Sequence, residues 1–453
     1  SPFDESLKAA NLQKVDIFLV NEVEGEQLTG QTVPKKMLSA MKEMFPRAAV
    51  VLTLGADGAY YQKENASIYQ PAIKVKAVDT TAAGDTFTCF SFSAKEKNTR
   101  FDPELTKSIA QALITGNYDY MFSFNYFPVA AMAAKACRVR YVSWVYDSPY
   151  AQLYSETVHY PTNDIRVFDS AEVERLQRMG VKTVSYLPMA ADVEYYDCLK
   201  ATQGRQYQAD ISFVGALYQE SDMQLYHRLE AMSEYDRGYL DGMLQVQKNL
   251  YGQNILEELL RQDQKLLSRI EAVSPLTPHP DAFATKEWYY ANFYLYRKVT
   301  ACERMDILTM LAEQYDVKVY THLKDENVQK LICSDNLKKA LHSPVDYYSQ
   351  APYVYKNSKI NLNITLRSIG SGIPLRAFDI MGCGGFLLTN YQADMLEFFE
   401  PDRDFVYYTD YEDLLAKVEY YLIHDAEREK IARSGYEKVR EKHTYQHRIR
   451  MLT

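Results

Sequence analysis

Four clusters along the chain carry residue types at spacings that suit anions and hydroxyl groups. The densest is Gly370-Ser371-Gly372-Ile373-Pro374-Leu375-Arg376-Ala377-Phe378-Asp379, followed by Gly382-Cys383-Gly384-Gly385. Gly370, Ser371 and Gly372 permit a tight turn and Pro374 suits the first position of a helix, so the unpaired N–H groups of that helix start would face a diphosphate. Arg376 and Asp379 stand three apart, hence on one helix face. There the guanidinium would clamp phosphate and the carboxylate would accept hydrogen bonds from ribose hydroxyls; a pair that merely caps the helix is the alternative. Gly215 ends the apolar run DISFVG and would let backbone approach phosphate, or would simply end a strand. Asp147 follows the run RYVSWV, where it would activate an acceptor hydroxyl or, within Asp-Ser-Pro, cap the next element. Asn125 and His159 are further candidates, expected on the same side of that domain. Near the start, a small-residue turn through Ala83 and Gly84 would offer N–H groups to a phosphoryl group, with Asp85 beside it to take a proton from a hydroxyl.

These clusters need elements to hold them. Residues 15–20, 48–54 and 73–78 are rich in β-formers and 35–44 has helical spacing, an α/β layout. The charged stretch 95–100 (KEKNTR) is the expected boundary after a first segment, 1–95. Strands are then expected at 118–122, 140–145, 165–168 and 183–186 between helices at 129–136 and 171–179, which implies a parallel sheet in a domain over 101–200. A third domain, 209–453, starts with the strand before Gly215. It continues through a largely helical insertion, 220–314, and resumes strands at 317–320, 360–364, 386–389 and 405–408 before two closing helices.

A chain of 453 residues calls for two or three cores. Its 47% hydrophobic and 25% charged residues are those of a globular protein. A net charge of -9 without a basic tract argues against nucleic acid as partner. The six cysteines lack the short paired spacings of a zinc or redox site, so reduced thiols and a cytoplasmic location are expected. No run approaches a membrane span. Ser1 in place of an initiator methionine leads us to expect a piece of something longer.

Two resemblances organise these readings. The ordered motifs Asn21-Glu22-Val23-Glu24, Thr53-Leu54-Gly55-Ala56-Asp57-Gly58 and Asp79-Thr80-Thr81-Ala82-Ala83-Gly84-Asp85 resemble the C-terminal half of ribokinase-like (PfkB) sugar kinases, over residues 1–94. The resemblance implies that Asp85 is the catalytic base, Ala83 and Gly84 the anion hole, Asn21 and Glu24 the organisers of magnesium and phosphate, and Gly55 and Gly58 the nucleotide loop. It implies Mg-ATP if the segment is active; the absence of the family's N-terminal half leads us to expect an inactive segment. Residues 118–128 (YDYMFSFNYFP), 141–149 (YVSWVYDSP) and 370–385 (GSGIPLRAFDIMGCGG) resemble the CgeB-like, spore-maturation-type bacterial glycosyltransferases, with a likeness running over 101–453.

The expected fold is thus a GT-B-like pair of Rossmann-type domains with a helical insertion, preceded by a partial ribokinase-like α/β segment. The implied partner is a nucleoside-diphosphate sugar bound by Gly215, Ser371, Gly372, Arg376 and Asp379, with Asp147 as base and no metal or other cofactor. The acceptor and the oligomeric state stay open. An ATP-dependent sugar kinase and a non-catalytic binding or spore structural protein are the alternatives.

Overall fold

A computed structural model describes residues 17–45, 49–54, 59–63, 66–70, 98–116, 118–219, 224–322 and 332–452. The chain divides into two compact units, Ser1–Cys89 and Phe90–Thr453. In the first, β1 (Ile17–Asn21) pairs in parallel with β2 (Ala49–Thr53), and β2 is followed by the antiparallel strands β3 (Ala59–Lys63) and β4 (Ala66–Gln70). Helices α1 (Glu22–Thr29) and α2 (Pro34–Met44) join β1 to β2. Met37, Leu38 and Met41, spaced along one face of α2, bury against Val50 and Leu52. The β3–β4 pair was not expected: its Tyr, Gln and Ser content lacks a strong apolar alternation. The expected strand 73–78 lies outside the described residues.

The second unit begins with α3 (Pro103–Gly116) and a four-stranded parallel sheet in chain order, β5 (Tyr120–Phe124), β6 (Arg140–Val145), β7 (Asn163–Val167) and β8 (Val184–Tyr186). Its crossovers include α4 (Pro128–Cys137) and α5 (Ser170–Arg178). Asp169 caps α5 by accepting from the Ala171 N–H.

A six-stranded parallel sheet follows: β9 (Ala209–Val214), β10 (Val317–Tyr320), β11 (Leu341–His342), β12 (Ser358–Asn363), β13 (Leu387–Asn390) and β14 (Val406–Tyr408). In space they run β11-β10-β9-β12-β13-β14, so the chain steps outward from β9 in one direction and then returns to β12 and steps outward in the other. Right-handed crossovers then lie on opposite faces, leaving a crevice at the carboxyl ends of β9 and β12. The two-residue β11 is too short to show a pattern in the sequence.

Between β9 and β10 run α6 (Glu234–Lys248), α7 (Leu256–Gln262), α8 (Gln264–Val273), α9 (Lys286–Tyr290), a π-helical turn at Ala291–Leu295 and α10 (Tyr296–Ala312). This helical stretch also ties itself to the first parallel sheet. Trp288 joins that sheet's core against Tyr154, and Arg175 of α5 grips Glu257 of α7 through two 2.7 Å bonds.

After α11 (Leu375–Gly382), three rather than two helices close the chain: Tyr411–Ile423, α12 (Asp425–Lys442) and α13 (Tyr445–Leu452). The last returns to the first sheet, where Arg448 donates to the Pro188 and Met189 carbonyls and Tyr445 packs on Trp144. One apolar cluster, including Trp144, Phe168, Leu187, Ile373 and Phe378, is continuous beneath both sheets. No helix among the described residues is long and apolar enough to cross a membrane.

Candidate functional site

The carboxyl edges of the two parallel sheets face each other. Asp169 follows β7, and the Gly370-Ser371-Gly372 turn follows β12. The three backbone N–H groups of that turn converge on the Asp169 carboxylate at 2.7, 3.0 and 3.1 Å, joined by the Ser371 hydroxyl at 2.9 Å. The expectation of a diphosphate at Ser371 and Gly372 is corrected here: the turn is an anion seat, as its geometry promised, but a carboxylate of the chain fills it. The fit is close, since a Cβ on Gly372 would stand 2.8 Å from the Asp169 Cα. Beside it, Asp394 accepts from the Ser170 N–H and hydroxyl, and Ala171 donates to the Ser371 hydroxyl. Burial raises the Asp169 pKa, the donors of Gly370 and Ser371 oppose that shift, and neighbouring Asp394 adds to it.

The helix after the turn starts at Leu375, with Pro374 as its extended cap. Pro374 is therefore one position earlier than expected, and Ala377 donates back to its carbonyl. Asp379, 3% exposed, points into the protein and accepts from the hydroxyls of Tyr196, at 2.7 Å, and Tyr347. Burial lifts its pKa to about 6 against the pull of both hydroxyls and of Arg376. The structure thus turns this carboxylate, expected to meet a ribose, toward two tyrosines of the chain.

Arg376 reaches the crevice between β9 and β12. Its Nη1 donates to the Asn363 side-chain oxygen at the end of β12 (3.0 Å), and its guanidinium lies 5.5 Å from the centroid of the Phe213 ring on β9. Gly215 makes room for it. A Cβ there would stand 2.8 Å from Arg376 Nη2, so this glycine admits an arginine rather than a ligand's phosphates directly. Arg376 Nε is buried and has no hydrogen-bond partner among the described residues.

Asp147 is exposed, just past the carboxyl end of β6. Asn125, in the left-handed region at φ 60°, holds it in place: its amide nitrogen donates to Asp147 Oδ2 (2.8 Å), and its oxygen accepts from the Tyr146 and Asp147 N–H groups. Asparagine tolerates that backbone better than most residues. His159 is elsewhere. It precedes the amino end of β7, on the edge opposite Asp147.

In the first unit Asn21 ends β1 and Glu24 is half-buried on the first turn of α1. Gly55, Gly58, Ala83, Gly84 and Asp85 lie outside the described residues. The sequence reading missed Asp169, Asp394 and Asn363. Asp169 had a signal, an aspartate between an apolar run and the helical stretch AEVERL, whereas Asn363 reads only as one polar residue within a strand.

Residues 306–453 match the family described as Glycosyl transferase-like, and residues 1–90 match the pfkB family of carbohydrate kinases. Among curated proteins, the chain is 40% identical over 82 residues to a ribokinase from Staphylococcus aureus, covering 17% of this chain and 26% of the relative. It is 64% identical over 42 residues to a ribokinase from Schizosaccharomyces pombe, 9% of this chain and 13% of the relative. The chain therefore spans about a quarter or less of the length of these relatives. Among solved structures it is similar to a sucrose-phosphate synthase from Thermosynechococcus elongatus, at 10% identity over 77% of this chain and 76% of that one, with a TM-score of 0.46. It is also similar to Anabaena HepE in complex with UDP, at 9% identity over 97% and 98%, with a TM-score of 0.47.

Proposed function

We propose that residues 101–453 form a GT-B glycosyltransferase of the CgeB-like kind, which moves a sugar from a nucleoside-diphosphate sugar to an acceptor hydroxyl. The observation that carries this reading is Arg376, whose guanidinium is delivered to the point where strand order reverses, with Gly215 and Asn363 shaped around it. The Glycosyl transferase-like match over 306–453 spans that arginine and supports the same reading. In the reaction the acceptor oxygen bonds to the anomeric carbon as the bond to the diphosphate breaks. Asp147, oriented by Asn125, takes the acceptor proton. The charge that develops on the departing diphosphate falls on Arg376, where a fixed cation lowers the barrier.

The test is Arg376→Ala with a panel of nucleoside diphosphates and their sugars. Wild type should gain melting temperature with at least one of them, because a ligand that binds only the folded state stabilises it. R376A should lose both that gain and turnover; an undiminished shift in R376A would refute the assignment. A second reading, ATP-dependent sugar phosphorylation, is favoured by the pfkB match over residues 1–90. It requires that the full chain phosphorylate ribose from Mg-ATP and that D85N abolish this.

A further inference from the structure

Beneath Arg376, the same crevice contains a second guanidinium that no motif announces. Arg304 of α10 is 3% exposed. Its Nη1 donates to the Ala216 carbonyl just past β9, and its Nη2 to the Ile364 carbonyl just past β12 at 2.5 Å. It therefore ties together the two strand ends that flank the reversal of strand order. Arg304 and Arg376 lie 5.3 and 5.5 Å from the centroid of the same Phe213 ring. The Nε of each is buried without a hydrogen-bond partner among the described residues.

The nearby carboxylates are engaged elsewhere. Glu303 is held by Arg367, and both oxygens of Asp379 accept from tyrosines. A buried cation beside a second cation is opposed by desolvation and by repulsion, and both act on Arg304: burial first, with Arg376 contributing, brings its pKa down to about 10 against the opposing pull of Tyr218, Glu303 and Tyr408. Such a pair is costly when left alone and is relieved by a multiply charged anion between or beside the two guanidiniums.

We propose that Arg304 and Arg376 together form a two-guanidinium seat for a diphosphate, Arg376 touching the ligand and Arg304 acting as the positioning cation that fixes the ends of β9 and β12 below it. This rests on the reading of the crevice as the nucleotide-sugar site and adds to it a residue from the last helix between β9 and β10. Two cations match a ligand carrying at least two negative charges, so pyrophosphate should bind more tightly than orthophosphate.

The test is calorimetric titration of the full chain with inorganic pyrophosphate and with orthophosphate over a range of salt, for wild type, R304M and R304K. Wild type should bind pyrophosphate in preference to orthophosphate. R304M should weaken pyrophosphate at least about tenfold and flatten the salt dependence of its affinity, because one cation has gone. A merely structural role would leave the salt dependence as it was. If R304M does not fold, R304K decides: it keeps the charge without the planar fork, so affinity should drop severalfold with the salt dependence retained. Wild-type affinity in R304K, unchanged salt dependence in a folded R304M, or a wild type blind to pyrophosphate would overturn the proposal. The two readings fail separately. Arg304-dependent pyrophosphate binding with no binding of any nucleoside-diphosphate sugar would sink the transferase and leave the seat standing. Nucleotide-sugar binding that is indifferent to both Arg304 variants would do the reverse.

Discussion

Gly215→Ala separates a site built around Arg376 from one in which that arginine is incidental. The backbone of Gly215 is not in the left-handed region, so alanine can adopt it, and its Cβ would meet Arg376 Nη2 at 2.8 Å and Phe213 Cζ at 3.3 Å. The first contact is with the far end of a flexible side chain, which can swing away. The loss of backbone freedom in the unfolded chain favours alanine by about 0.4–1 kcal/mol and offsets much of the crowding. Stability should therefore change by no more than about 1 kcal/mol, visible as a shift of a few degrees at most. The displaced guanidinium loses its 3.0 Å bond to Asn363 and its place at the crevice. A hydrogen bond to a charged group contributes about 1.5–3 kcal/mol, which becomes about a 10- to 150-fold loss of affinity for nucleoside diphosphate or pyrophosphate. Titration calorimetry alongside thermal unfolding reads both quantities. Wild-type affinity in G215A, or affinity lost only together with the fold, would refute the reasoning.

Two further outcomes follow from buried charge. Arg367 and Glu303, 5% and 0% exposed, pair at 2.8 Å while Arg367 stacks 3.8 Å from the centroid of the Tyr251 ring; R367M strands the carboxylate and should cost about 3–5 kcal/mol, whereas R367M/E303L should recover much of the lost melting temperature. Acid sensitivity should depend on two opposed groups. His443, enclosed by Phe378, Phe398 and Phe399 and accepting from Arg448, has its pKa lowered by burial to about 3, so the stability it contributes is present above about 6.5 and is lost as pH falls toward 3. Asp379, raised to about 6, contributes in the other direction: its stabilisation is present below the ordinary carboxylate value and is lost as pH rises through 6. The two slopes oppose each other between about pH 4 and 6, so D379N should lose melting temperature more steeply than wild type as pH falls across that window, and parallel curves would contradict the assignment of Asp379.

The parallel sheets were legible because β6, β9 and β10 are short runs rich in Val, Ile, Phe, Tyr and Trp that alternate with helical stretches. The glycine turn before α11 was legible as an anion seat. Its occupant was not, since an aspartate about two hundred residues away is joined to it only by packing. Asp379 misled for a related reason: three-residue spacing places it on the face of Arg376, but which part of that face turns inward depends on Tyr196 and Tyr347, from separate segments. Arg304 was illegible because its residue type argues for solvent, although it stands three, four and seven residues before Ile307, Leu308 and Leu311, on the buried face of its helix.

These misses share a direction, and it bears on how the unit works. Of the groups that the sequence assigned to a ligand and the structure assigns to the chain itself, Gly215 faces Arg376, whereas Ser371, Gly372 and Asp379 lie on the turn and helix after β12, at the junction of the two sheets. Each of these three is satisfied by a side chain reaching across or over that junction. Arg304 and Arg376, whose Nε atoms are among the buried donors without a partner among the described residues, lie one step away, at the carboxyl ends of β9 and β12. Polar groups buried in a fold are normally paired, because each orphan costs about 1–3 kcal/mol. The Nε atoms of Arg166, Arg175 and Arg297 are also buried without a partner among the described residues, but Arg166 and Arg175 are paired with carboxylates; Arg304 and Arg376 share one phenylalanine ring with no carboxylate bonded to either among the described residues, and the demand at that spot is for negative charge.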